Sequence, residues 1–303
     1  MFQFRARAPQ DRPAGPTDDE CSFIDPGTGT REEIRYLDVG DDGGQVYMVH
    51  HHARGKPRGG VILCGSINAD REGCLRTLVD IARDLAANGF DVVRFDYRGI
   101  GESTGDFSGY CLSDWQADIE ACVDVLRAKL PGLPIGLWGI RAGALLASEV
   151  FKTTGDGALL CAPMDGQPLL QAILRRSLVN DMLGRPDSKR TSRDEIIAAL
   201  ERGEFVNVDG YAWSKRLWED AGTHRFVAPA ADDARPWQVV DFTDFPRTNL
   251  DAEHETRRKV STVGRFWEAT PTRVAKDSSL RDITLAWLVS MSDFCGSVGP
   301  TLL

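Results

Sequence analysis

Apolar residues along the chain follow two alternating spacings, one typical of strands and the other typical of helices. Short continuous apolar runs, which suit strands buried on both faces of a parallel sheet, occur at 60–64, 91–95, 134–138 and 158–162. Apolar residues at helical spacing lie between these runs, over 71–88, 115–126 and 142–152. Strict alternation of strands and helices implies right-handed crossover connections between parallel strands. The sequence therefore predicts an α/β fold with a mostly parallel sheet and helices on both faces.

The segment before this region has a different pattern. Two strand-like runs at 33–39 and 45–52 flank a glycine-rich turn, which predicts a hairpin. Residues 1–30 are rich in Pro, Gly, Asp and Thr and show no periodicity, so we expect a poorly ordered arm.

The alternation stops at Pro163, and residues 166–226 are helical in character. A helix in this segment opens with a capping box from Ser192 to Glu195. We interpret 166–226 as an inserted helical cap.

Strand and helix patterns return after the cap. Strands are predicted at 237–242 and 258–263, and an apolar helix at 280–291. We therefore expect one α/β core, formed by residues 31–165 and 227–303.

The composition narrows the class of protein. Hydrophobic residues at 42% and charged residues at 27% exclude an extended disordered chain and a coiled coil. The net charge of -9 over 303 residues argues against a nucleic-acid partner. No apolar stretch is long enough to span a membrane and no signal segment begins the sequence, so we expect a cytoplasmic protein. Seven scattered cysteines without a CxxC pair predict reduced thiols.

Two motifs carry the strongest indication of fold. Residues 139–143 read Gly-Ile-Arg-Ala-Gly between a predicted strand and a predicted helix. This is the setting of the G-x-S-x-G nucleophile elbow of α/β hydrolases, with Arg141 in the place of the serine. Residues 96–103 resemble the D-x-R-G-x-G-x-S loop of the same superfamily. The two motifs predict an α/β-hydrolase-like fold, but they do not predict serine hydrolysis.

The resemblance extends to one family within that superfamily. Residues 138–147 are similar to the W-G-L-R-x-G-A-L-L-A segment of the second type of exosortase A system-associated hydrolase, in which Arg also occupies the serine place. Asn68 and Arg71, the turn at 162–166, and residues 210–211 and 264–267 add further similarity. Gly65-Ser66-Ile67 and Arg265 depart from the family pattern. The resemblance implies a hydrolase by fold, with a role beside exopolysaccharide export.

A Ser-His-Asp triad cannot be assembled from the sequence. Asp241 and Asp244 lie at the end of the strand where the acid belongs, but no histidine occurs from 255 to 303. His254 precedes the last predicted strand and His224 belongs to the cap. Whether the protein is an enzyme is therefore left open.

Cysteine is the alternative nucleophile. Cys64 and Cys161 end predicted strands that point toward the expected ligand crevice, where a nearby cation could favour a thiolate. We favour the alternative that both are small buried apolar residues at strand ends, because cysteine is among the most buried residue types.

Three consecutive histidines raise the question of a metal site. On a strand only His50 and His52 share a face, and no Cys, Asp or Glu follows at ligand spacing. We therefore predict a solvated strand end, no metal site and no other cofactor.

A small-molecule ligand, anionic or acyl, is the partner that the sequence favours. Arg141 would anchor it, beside Ser66, Asn68, Asp96 and Asp165. The structural alternative is a salt bridge from Arg141 to Asp96, to Asp165 or to a third acid, Glu102. Further polar or aromatic residues with either a structural or a ligand-binding role are Tyr97, Ser103, Trp213, Trp218 and Trp267.

Two functions remain open from the sequence. One is a catalytically silent α/β-hydrolase relative that binds an anionic small molecule or a partner. The other is an atypical hydrolase or acyltransferase that acts on an acyl or ester-linked metabolite through Cys64 or another crevice residue.

Overall fold

A computed structural model of the chain describes residues 21–40, 43–184, 191–230, 232–242, 257–260, 266–268 and 278–297. Eleven strands lie in these ranges: β1 Ser22–Ile24, β2 Arg31–Val39, β3 Gly44–His51, β4 Gly60–Cys64, β5 Asp91–Phe95, β6 Ile135–Ile140, β7 Gly157–Cys161, β8 Val206–Val208, β9 Tyr211–Trp213, β10 Trp237–Phe242 and β11 Arg257–Val260. The seven α-helices are α1 Asn68–Ala87, α2 Leu112–Lys129, α3 Ala142–Phe151, α4 Gly166–Gly184, α5 Arg193–Glu201, α6 Lys215–Ala221 and α7 Ser278–Ser297.

Nine of the strands form one sheet, in the order β1-β2-β3-β5-β4-β6-β7-β10-β11. The first three strands are antiparallel to their neighbours, whereas the six from β5 to β11 run parallel. The central parallel strands, such as β4 and β7, are buried along their whole length. The apolar runs in the sequence predicted this, because such strands have no solvated face.

Helices cover both faces of the sheet, as predicted. Trp115 of α2 and Leu145 of α3 belong to one core cluster. Leu78 of α1 and Trp287 of α7 belong to the second cluster on the opposite face. Of the helices that the structure describes, none is long and apolar enough to cross a bilayer.

The segment predicted to be a cap lies in the chain between β7 and β10, which pair in parallel. It contains α4, α5, α6 and the antiparallel hairpin β8-β9. The predicted capping box of α5 is present, with the Ser192 hydroxyl accepting from the amide of Glu195. The hairpin departs from the all-helical character that the sequence predicted. Its strands of three residues are too short to produce a period-two pattern.

The prediction of a poorly ordered arm over residues 1–30 is wrong for the last residues of that segment. Residues 22–24 form the edge strand β1, which pairs with β2. Asp25 then closes a turn by accepting hydrogen bonds from the amide and hydroxyl of Thr28. Sheet pairing orders this segment although its sequence has no periodicity. Residues 1–20 lie outside the described ranges.

Candidate functional site

Arg141 occupies the sharp turn between β6 and α3, with a backbone φ of 56° and ψ of -115°. A positive φ strains any residue with a side chain and costs about 1–3 kcal/mol. The turn is held by the amide of Arg141, which donates to the carbonyl of Cys161 at 2.9 Å. It also needs Gly143, because a Cβ there would overlap the carbonyl groups of Cys64 and Gly65. The nucleophile-elbow geometry is therefore present with a guanidinium in place of a hydroxyl.

The Arg141 side chain is buried among charged and aromatic groups. Its Nε donates to Oδ2 of Asp70 at 3.1 Å, and its Nη1 contacts the sulfur of Met164. The guanidinium carbon lies 5.5 Å from the ring centre of Trp267. Asp70 is fully buried, and its other oxygen accepts from Arg176 of α4. One carboxylate of the core is therefore shared by two guanidinium groups, one of which belongs to the cap.

None of the three acids predicted to pair with Arg141 does so. Asp96 pairs with Arg71 at 2.7 Å. Asp165 accepts from the amide of Phe226, and Glu102 is exposed. The partner is Asp70, which lies in the first turn of α1, whereas the three predicted acids lie at or just after strand ends. An acidic residue in the first turn of a helix is favoured by the helix dipole, and that signal was present in the sequence.

The loop after β4 contains two predicted ligand-binding residues. Ser66 is 1% exposed, and its hydroxyl has no hydrogen-bond partner. Asn68 has a φ of 51°, and its Nδ2 donates to Val208 of the cap hairpin at 3.4 Å. The Oδ1 of Asn68 is also buried without a partner. Unsatisfied buried polar atoms are costly, and this loop contains two of them.

Ser66 and Asp96 meet in one narrow pocket, whose lining includes Arg71, Arg94 and Tyr97. Arg71 holds the Asp96 carboxylate at one side of it. The structure thus brings Ser66 and Asp96 together, whereas the Asp165 carboxylate is engaged by the cap segment that contains Phe226.

The residues considered for a triad remain scattered. Asp241 lies within β10 and is partly buried, whereas Asp244 and His254 lie outside the described residues. His224 is held at the junction of cap and core, where its Nδ1 is 2.7 Å from Oε2 of Glu149. No histidine of the described chain is recorded in contact with Arg141.

The thiols considered as nucleophiles are placed in the core. Cys64 and Cys161 are fully buried, and burial raises the pKa of both well above the ordinary thiol value. No cation lowers either pKa, so the reactive thiolate is disfavoured. Cys64 therefore lacks the environment that its proposed catalytic role requires. All seven cysteines are free.

The histidine run is not the solvated strand end that the sequence predicted. His50 is only 4% exposed, and its ring stacks on that of His52 with centroids 4.2 Å apart. Asp91, the first residue of β5, lies beside them. This carboxylate comes from a neighbouring strand, so residue spacing near the histidines does not predict it.

Tryptophans of the cap belong to the core. Trp213 and Trp218 pack against each other with ring centres 6.5 Å apart, and both are buried. Trp267 is also buried, and its ring faces Arg141.

Comparison with known proteins supports this fold. Residues 55–199 match the family model described as serine aminopeptidase, S33. DcsB, solved in complex with its substrate analogue, is similar with a TM-score of 0.51 and 13% identity, over 85% of this chain and 99% of that one. A hypothetical protein from Pseudomonas aeruginosa gives a TM-score of 0.50 and 13% identity, over 77% and 83% of the two chains.

The α/β hydrolase GrgF from a Penicillium species gives a TM-score of 0.46 and 18% identity, over 69% of this chain and 79% of that one. No curated protein sequence matches the chain. The family match and the order of the sheet assign the α/β-hydrolase fold to this chain.

Proposed function

We propose that this protein is a catalytically silent α/β-hydrolase relative that binds an anionic small molecule at the elbow, with Arg141 as the anchor. The observation that carries the proposal is the Arg141 turn itself. It keeps a strained backbone, φ 56°, at the position where this fold presents its reactive side chain. Strain of this kind persists where the surrounding structure enforces it, and it occurs most often at functional sites.

The charges around Arg141 support an anionic ligand. Arg141 and Arg176 share the single carboxylate of Asp70, which leaves one positive charge in excess. The side-chain hydrogen bonds of Arg141 run from its Nε and Nη1. A carboxylate or phosphate group suits this site, because guanidinium donors bind such oxygens in pairs.

Catalytic silence follows from the groups at the elbow. Guanidinium is not a nucleophile at neutral pH, since it stays protonated. The buried thiol of Cys64 has a raised pKa and no activating base beside it. These features favour binding over acyl transfer.

Isothermal titration calorimetry with inorganic phosphate and with hexanoate tests the proposal. We expect saturable binding of at least one of these probes to the wild-type chain, and its loss in Arg141→Gln. Arg76→Gln is the matched control, because Arg76 is an exposed arginine of α1 whose partner is Asp80. Equal binding by wild type and Arg141→Gln, or no binding of either probe, would overturn the proposal.

The second candidate function is an atypical hydrolase or acyltransferase acting on an acyl or ester-linked metabolite, with a link to exopolysaccharide biosynthesis implied by family resemblance. The match of residues 55–199 to serine aminopeptidases favours it. A panel of p-nitrophenyl acyl esters and thioesters separates the two. Turnover that is abolished by Arg141→Ala or Cys64→Ala would establish the enzyme and reject catalytic silence.

A further inference from the structure

A second group of polar side chains lies at the opposite end of the sheet from the elbow. His50 is the next-to-last residue of β3, and His52 follows that strand directly. β3 runs antiparallel to β5, with His51 paired to Val92, so the end of β3 lies beside the start of β5 at Asp91. The sheet register therefore brings two imidazoles and a carboxylate together, although 39 residues separate His52 from Asp91 in the numbering.

The ligand-type atoms of this group are close to one another. One nitrogen or oxygen atom from each of His50, His52 and Asp91 lies within 4.8 Å of the other two. Nε2 of His50 is 3.3 Å from Oδ2 of Asp91. In a tetrahedral site with metal–ligand bonds of about 2.0–2.1 Å, two ligand atoms are about 3.3–3.4 Å apart. The observed separation of these two atoms is compatible with two ligands of one ion.

These two atoms are in ion-pair contact but lack the geometry of a hydrogen bond. Nε2 of His50 is buried and has no hydrogen-bond partner, even though a carboxylate oxygen is nearby. Buried polar atoms are almost always satisfied, so an orphaned ring nitrogen in a side chain that is 5% exposed needs an explanation. A cation between the nitrogen and the carboxylate oxygen would satisfy both atoms.

Neighbouring groups orient the other two residues. Glu33 lies 2.9 Å from Nε2 of His52, so Nδ1 is the nitrogen of that ring that an ion could reach. The amide of Ala53 donates to Oδ1 of Asp91 at 2.7 Å, which leaves Oδ2 free. Carboxylates and backbone groups that fix the far side of each ligand in this way are a regular feature of protein metal sites.

A lysine ammonium contacts the cluster on the other ring nitrogen of His50, away from Asp91. Nζ of Lys129, the last residue of α2, lies 3.0 Å from Nδ1 of His50 and 3.4 Å from Nδ1 of His52. The Lys129 residue is exposed, so its flexible side chain can move into solvent without disturbing the core. An ion bound to Nδ1 of His52 would therefore displace the Lys129 ammonium from that nitrogen.

We propose that His50, His52 and Asp91 bind one divalent transition-metal ion of the Zn²⁺ class, with water completing the coordination. Two imidazoles and one carboxylate form a donor set that suits Zn²⁺, Co²⁺ or Ni²⁺ better than Mg²⁺ or Ca²⁺, which prefer all-oxygen sites. The site is independent of the elbow, and it does not depend on the function proposed above.

Cobalt titration of chelator-treated full-length protein tests the proposal. We expect one Co²⁺ per chain, visible absorption of a nitrogen- and oxygen-bound ion, and displacement by Zn²⁺. Absorption in the near ultraviolet from thiolate bound to cobalt would instead place the metal on cysteine and overturn the proposal. The absence of any Co²⁺ or Zn²⁺ binding at millimolar concentration would also overturn it.

Substitutions locate the ion. His52→Ala should weaken Co²⁺ binding by about tenfold or more, and Asp91→Asn should do so independently. The His52 side chain is 24% exposed, so its removal should leave the fold intact. Lys129→Met should tighten binding because it removes a competing positive charge. His224→Gln, which changes a histidine of the cap junction, is the matched control and should bind Co²⁺ as the wild type does. Unchanged affinity in both His52→Ala and Asp91→Asn would reject the site.

Discussion

The strained turn at Arg141 is held by the backbone around it, independently of the side chain that it presents. The amide of Arg141 is bonded to the carbonyl of Cys161, and Gly143 packs against the carbonyls that end β4. Both contacts involve only main-chain atoms and the absence of a Cβ. A fold can therefore keep this geometry after its nucleophile is replaced.

Restoring the hydroxyl alone should not restore hydrolysis. In Arg141→Ser, the serine should keep its proton at neutral pH, because no histidine follows residue 254 in the sequence to act as the base. We expect no labelling by a fluorophosphonate probe above that of the wild type, with folding checked by thermal unfolding. Efficient labelling of the folded variant would show that another base reaches the elbow.

Removal of the Asp70 carboxylate should lower the free energy of unfolding by more than removal of one charge from a surface ion pair. Asp70→Asn leaves Arg141 and Arg176 without a counter-charge, one of them deeply buried. Breaking a buried pair from one side costs about 3–5 kcal/mol, and we expect a loss of this order in urea unfolding.

Asp80→Asn is the matched control for that substitution. Asp80 lies on the same helix and pairs with the exposed Arg76, so its loss should cost less than about 1 kcal/mol. Equal destabilisation by the two substitutions would mean that the Asp70 cluster contributes nothing beyond an ordinary surface pair.

Between elements, the cap is joined to the core by a cluster around His224. Its Nδ1 faces Glu149 of α3 at 2.7 Å, and its Nε2 is 3.3 Å from Asp220 of α6. Ser113 of α2 donates from its hydroxyl to Asp220 at 2.7 Å. Burial alone would lower the pKa of His224, but hydrogen bonds to Asp220 and Glu149 outweigh it and raise the pKa to about 9. The junction therefore contains an imidazolium at neutral pH.

The stability conferred by this junction should decline in alkaline solution. Because the folded pKa of His224 is raised above the ordinary 6.5, its contribution is complete below pH 6.5 and is lost as the pH rises through 9. We expect His224→Gln to be less stable than wild type at pH 6 by a few kcal/mol, on the order of 1.4 kcal/mol per pKa unit. Denaturant unfolding above pH 9.5 should show a much smaller difference. A constant difference at every pH would mean that the imidazolium is not the stabilising species.

The predictable elements are those whose own sequence repeats a pattern. β4 and β5 have the bounds that their apolar runs predicted, and α1 and α3 differ by a few residues at most. Strands β1 and β8, three residues each, carry no such pattern and form because a partner strand lies beside them. The sequence therefore predicts long, self-consistent elements, whereas pairing over distance determines the short ones.

Whether a site residue is predictable also depends on whether a local pattern or a distant element places it. The position of Arg141 is predictable from the sequence because a local motif surrounds it, with a glycine two positions away on each side. Asp70 and Asp91 were missed because each approaches its partners from a different element. The sheet register that places Asp91 is not visible in a single sequence, and the first-turn position of Asp70 in α1 does not show which residues it will contact.

Across the whole molecule, the two ends of the parallel sheet carry separate polar clusters. The elbow end has Arg141 and Asp70 beneath the cap, and the opposite end has His50, His52 and Asp91. An apolar core lies between them, so substitutions at one end should leave the other unchanged. The losses of unfolding free energy caused by Asp70→Asn and by His52→Ala should therefore add within about 0.5 kcal/mol in the double variant.

His51 should determine how the stability of the whole molecule falls at acid pH. This residue is fully buried, and burial first, then the charges of Arg94 and Arg83, lower its pKa to about 3. Between pH 6.5 and 3 the unfolded chain binds a proton at His51 that the folded chain does not. Stability must then fall as the pH drops through this window, by at most about 1.4 kcal/mol per unit.

Because His224 acts in the opposite direction above pH 6.5, the two histidines together predict greatest stability near pH 6.5. Thermal unfolding of wild type and His51→Asn, measured with chelator from pH 4.5 to 7, isolates the acid limb. Other groups that titrate there, such as Asp118, whose pKa burial raises to about 6, are common to both proteins and cancel in the difference. The variant should lose less stability than wild type as the pH falls. Parallel curves of stability against pH would contradict the prediction. They would mean that the buried imidazole of His51 accepts a proton without cost beside two arginines.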